Sequence, residues 1–103
     1  MARYLVTYHG SEMSHEPEAM AQARNAFMAW AQKVGPALVE PGAPVVAVRT
    51  ISGSGTSARP AEGPVQGWSV VEAESQEAAA ELLGDHPFLS RGGTLQINEP
   101  APT

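Results

Sequence analysis

The 103-residue chain contains no cysteine, so disulfides, thiolate metal sites and cysteine nucleophiles are excluded. Basic residues are scarce: six Lys and Arg stand against eleven Asp and Glu, for a net charge of −5. That acidic balance argues against nucleic acid or an anionic membrane as the main partner. No apolar run approaches the ~20 residues that a membrane span requires. The opening Met1 to His9 is too short and too polar for a signal peptide, so the expectation is a soluble cytoplasmic protein. What is present is a globular composition, 43% hydrophobic and 17% charged, of a length that suits one domain over residues 1–103.

Arg3 to His9 reads as a strand, with Tyr4, Val6 and Tyr8 on one side and Leu5, Thr7 and His9 on the other. Neither side is purely polar, as expected of a strand covered on both faces. After a polar connection over Glu12 to His15, Pro17 opens a helix. Its apolar stripe is Met20, Ala23, Phe27, Trp30 or Ala31, and Val34, and Lys33, Gly35 and Pro36 mark its end. Ala37 to Glu40 is a short extended piece closed by a Pro41-Gly42 turn, and Val45 to Ile51 is a second strand. Residues 52–66, rich in Ser, Gly and Pro, read as a flexible loop. Gly67 to Ala73 is a third strand. Ser75 caps a short helix with Ala78, Ala79, Leu82 and Leu83 as its apolar stripe, ended by Gly84. Thr94 to Glu99 alternates as a last strand, and residues 100–103 form a loose tail.

The order strand, helix, strand, strand, helix, strand is the ferredoxin-like βαββαβ pattern, an α+β fold with a four-stranded antiparallel sheet. Both helices lie on one face of such a sheet. The other face, semi-apolar yet carrying Thr94, Gln96 and Asn98, fits a cavity wall covered by a second copy of the chain, so a homodimer is expected.

Tyr4-Leu5-Val6, Gly67-Trp68, Ala78, and His86-Pro87-Phe88 followed by Gly92-Gly93 together resemble the YCII-related proteins, in order and spacing over roughly residues 3–99. The resemblance implies a dimeric α+β barrel of ferredoxin-like subunits, with most members lacking an assigned reaction and a few acting on small cyclic or chlorinated metabolites. Others are attached to regulatory proteins. Some members carry a His in the first helix and an Asp just before the Pro of an Asp-Pro-Phe/Tyr motif, proposed as a catalytic pair. Matching the motifs places Phe27 at the His position and His86 at the Asp position, with Asp85 one residue away. Both members of the pair are thus replaced, unless Asp85 takes over through a one-residue shift, and the chain departs from the family's acid–base pattern to that extent.

His86, next to Asp85 and after the second helix, is the leading candidate for proton transfer. The helix end and Asp85 are both expected to favour its charged form. The competing reading is a histidine that packs and hydrogen-bonds at the helix end. Arg49, with Gln96 on another strand, suits a grip on a carboxylate, against the alternative of an ion pair with an acid such as Glu72. Trp68 and His9 complete the candidate pocket, whereas Trp30 and Phe27 read as core. Three histidines (His9, His15, His86) show no metal-ligand spacing, so no metal is expected, and no cofactor. Gly53-Ser54-Gly55-Thr56-Ser57-Ala58 imitates a dinucleotide fingerprint but lacks the helix that must follow it. Two functions remain open: a protein that binds or transforms a small, anionic or cyclic metabolite beside the sheet, or a non-catalytic dimerisation or regulatory module.

Overall fold

The computed structural model describes residues 1–10, 16–57 and 63–101. Within them the elements run β1 (Ala2–His9), α1 (Pro17–Val34), β2 (Leu38–Pro44), β3 (Thr50–Ser52), β4 (Gly55–Ser57), β5 (Gly67–Ala73), α2 (Gln76–Leu83) and β6 (Thr94–Asn98). Single 3-10 turns occupy Gly35–Ala37 and Leu89–Arg91.

Four strands form one antiparallel sheet in the order β2-β5-β1-β6, and β3 pairs with β4 as a separate hairpin. Placing the first strand between the third and fourth of the four sheet strands is compatible with a ferredoxin-like fold. Alternation along β1 divides the sheet's faces. Tyr4, Val6 and Tyr8 are buried beneath the helices with Val71 and Ala73 of β5. Leu5, paired with Val70 and Asn98, and Thr7, paired with Trp68 and Gln96, lie on the opposite face. Trp30 of α1, Ala79 and Leu83 of α2, and Phe88 close the core.

The helix ends obey local chemistry. Pro17 stands in the first turn of α1 and Lys33 in its last, and Gly35 leaves the helix with φ of 61°. Ser75 Oγ accepts from the Ala78 amide at 3.1 Å, so α2 begins at the cap its sequence predicts.

Three expectations need correction. Pro41-Gly42 does not close the extended piece expected over Ala37 to Glu40; both residues lie inside β2, where the register against β5 shifts. Gly42 has φ of 74°, and a Cβ there would sit 1.7 Å from the Trp68 carbonyl oxygen, so a backbone irregularity replaces the turn. Val45 to Ile51 is not a strand over its length. Only Thr50 and Ile51 belong to β3, and Val46 is 96% exposed. The expected loop 52–66 holds β4 and the hairpin turn, and residues 58–62 lie outside the described residues. The expected connection over Glu12 to His15 also lies outside them.

Candidate functional site

His86 is buried, with 3% of its surface exposed, in the chain that leaves α2. Three aromatic rings surround it: Trp30 at 4.4 Å between centroids, Tyr8 at 5.1 Å and Phe27 at 5.6 Å. The backbone amide of Phe88 donates to its Nδ1 at 3.0 Å. A nitrogen that accepts carries no proton, so the proton of the neutral ring sits on Nε2. From there it donates to the Tyr8 hydroxyl at 3.1 Å.

The other end of the network gives the same direction independently. Ser69 Oγ donates to the Pro41 carbonyl at 2.8 Å, because a carbonyl only accepts. Ser69 therefore accepts from Tyr8 at 2.5 Å, and Tyr8, its own proton committed, accepts from His86. The chain of donors runs from Phe88 through His86, Tyr8 and Ser69 to Pro41, with both imidazole nitrogens occupied.

Burial, above all, and the positive charge of Arg91 hold the His86 pKa down to about 4, against a smaller opposing effect of Asp85. The expectation of a raised pKa is thus overturned: desolvation outweighs the neighbouring carboxylate. Asp85 does not orient His86. It faces Lys33 in an ion pair at the surface, and that hydrogen bond is the main cause of its lowered pKa. The Trp30 indole makes a lesser contribution to that lowering, although its Nε1 forms no hydrogen bond of ordinary geometry among the described residues.

A cavity of about 560 Å³ opens beside this network, between α1 and the edge of the sheet where β2 and β5 meet. Tyr8, His86 and Phe88 form its deep wall, and Phe27 and Ala23 contribute from α1. Two arginines, Arg24 from α1 and Arg91 from the 3-10 turn, complete it, and both residues are exposed. The Arg91 guanidinium carbon lies 5.4 Å from the Phe88 ring centroid, within cation–π range. Gly93 allows Phe88 to take this place, since a Cβ on residue 93 would stand 2.2 Å from the ring. The volume falls within the roughly 300–1,000 Å³ of small-molecule pockets.

The residues singled out from the sequence do not form one site. His86 lines the cavity. Trp68, Gln96 and His9 belong to the opposite face of the sheet, where Thr7 Oγ1 meets His9 Nε2 at 2.8 Å and Asn98 Nδ2 at 3.3 Å. Arg49 lies outside the sheet, exposed, in the segment before β3, so the expected pairing of Arg49 with Gln96 does not form. Glu72 pairs with Arg3 rather than Arg49. Phe27 is half-buried and shared between core and cavity, while Trp30 is core as expected.

Sequence reasoning missed Arg24 and Arg91. Arg24 borders the apolar stripe four residues after Met20, and a charge at that border is the available signal. Among the described residues, no group of three or more His, Asp or Glu side chains is placed to hold a metal, and no helix is long and apolar enough to cross a membrane. A scan against models of known protein families finds no match, and a search of curated proteins finds none either. Fold and site together define a small α+β protein with a ligand-sized cavity beneath its first helix.

Proposed function

We propose that this chain is a small-molecule-binding protein whose ligand occupies the cavity between α1 and the sheet. One observation carries the reading: a largely apolar cavity of about 560 Å³, walled by Phe27 and Phe88, is bordered by two exposed arginines. Proton transfer by His86 is no part of it, because both ring nitrogens already hold hydrogen bonds and the ring is neutral near pH 7.

Membership of the YCII-related family is part of the same proposal. The sheet order supports it, and so does a contact: Phe27 and His86, which take the positions of the family's His and Asp, are ring neighbours at 5.6 Å. The pair is Phe–His here, which favours binding over acid–base chemistry.

A thermal-melt panel of small metabolites tests the reading, because a ligand that binds only the folded chain raises Tm by mass action. Ala23→Phe fills the cavity from α1. The expected result is a rise of several degrees for the wild type with at least one compound class, lost in the variant. No rise across the panel, or an equal rise in the variant, contradicts it.

A second reading, the homodimer, has its own support in the open face of the sheet. Leu5 and Trp68 are 43% and 36% exposed there, beside polar Gln96 and Asn98. Two such faces brought together give the dimeric α+β barrel, in which the chain is a dimerisation module whether or not its cavity is filled.

A further inference from the structure

The geometry points to an organic carboxylate with an apolar body as the ligand class, the body against Phe27 and Phe88 and the carboxylate at the mouth between Arg24 and Arg91. This inference rests on the reading of the cavity as a ligand site and deepens it.

Charge supplies the first argument. The chain has eleven acidic residues and six basic ones, yet two of the six line this cavity and no acidic residue among its described lining does. Neither Arg24 nor Arg91 forms a salt bridge with a carboxylate among the described residues. A concentration of free guanidinium in an acidic protein attracts anions locally against the overall field. The planar fork of arginine also matches a carboxylate with two parallel hydrogen bonds.

The deep wall supplies the second argument. Tyr8 and His86 are polar residues that line the cavity, but their hydrogen-bonding atoms are committed to each other, to Ser69 and to the Phe88 amide. A ligand body rich in hydroxyls would leave water and find no free partner on that wall. An aromatic or aliphatic body loses nothing by entering, and gains contact with the Phe27 and Phe88 rings. The sites of charge and of apolar surface thus lie at different depths, which sets the orientation: head outward, body inward. Arg91 is already placed over Phe88, so the carboxylate and the ring beneath it are recognised by one preformed unit.

Calorimetric titration with 2-naphthoate, its neutral isostere 2-naphthamide, and citrate as a polar anion separates the possibilities. We expect naphthoate to bind about tenfold more tightly than naphthamide and citrate to bind more weakly than either. Rising salt lowers the naphthoate affinity towards that of the amide. Arg24→Gln and Arg91→Gln each reduce the preference for the anion, with the melting temperature of the free variants close to wild type because both side chains are exposed. Equal binding of naphthoate and naphthamide overturns the anion assignment while leaving the cavity reading in place. Tighter binding of citrate overturns the apolar body. Absence of binding by both naphthalene compounds overturns the cavity reading and this inference with it.

Discussion

At the scale of single residues, His86 decides how the site works. Its Nδ1 accepts from the Phe88 amide, so protonation there would set two donors against each other in a buried position. Burial and, after it, the charge of Arg91 hold the folded ring's pKa down to about 4, while an unfolded one titrates near the ordinary 6.5. Above pH 6.5 both states are neutral and the histidine has no effect on the pH dependence. Between 6.5 and 4 the unfolded chain takes up a proton that the folded chain refuses, so stability falls as pH falls. Below pH 4 both are charged and the loss levels off, at a total on the order of 3 kcal/mol. An NMR titration of the imidazole protons checks this: the His86 signals stay flat from pH 8 to about 5 and move only near 4. A midpoint at or above 6.5 would show a charged ring and break the donor chain through Tyr8 and Ser69.

At the scale of elements, legibility followed from whether a segment's signals were local. The two helices and β5 stand where periodicity, Pro17, Gly35 and Ser75 place them, because caps and apolar spacing act within a few residues. β2 departs from its local signals for the opposite reason. Pro41-Gly42 is a turn by composition, but pairing with β5 holds it in the sheet, and that partner lies far along the chain. Val45 to Ile51 has strand composition, but only its last two residues pair, and with β4 rather than the main sheet: Val46 is exposed, and Ile51 in β3 is 76% exposed. The cavity is only partly legible, since its walls come from separate segments and His86 is the one candidate site residue of the sequence among them. Alternation in β1 and β6 makes the open sheet face legible, and its mixed rows are present. If two such faces pack together, light scattering at micromolar concentration gives twice the chain mass, and Trp68→Glu returns a folded species of one chain mass. Wild-type scattering at one chain mass contradicts the dimer.

At the scale of the whole molecule, two layers explain the shape and the division of labour. The chain measures 43 × 43 × 19 Å, and the short dimension is one sheet with one layer of helices upon it. Such a slab has two distinct surfaces. The helix side encloses the cavity, the rings of Phe27 and Phe88 and the two arginines; the bare side carries Leu5, Trp68 and Gln96. The account assigns ligand binding to the first and association to the second. A backbone amide chemical-shift map with 2-naphthoate tests that assignment most directly. The account predicts perturbations concentrated at Ala23, Arg24, Gly67, Phe88 and Arg91, with Leu5, Val70 and Gln96 unmoved. Perturbations centred on Leu5, Val70 and Gln96, with the residues around Phe88 unmoved, would place the ligand on the bare face and contradict it.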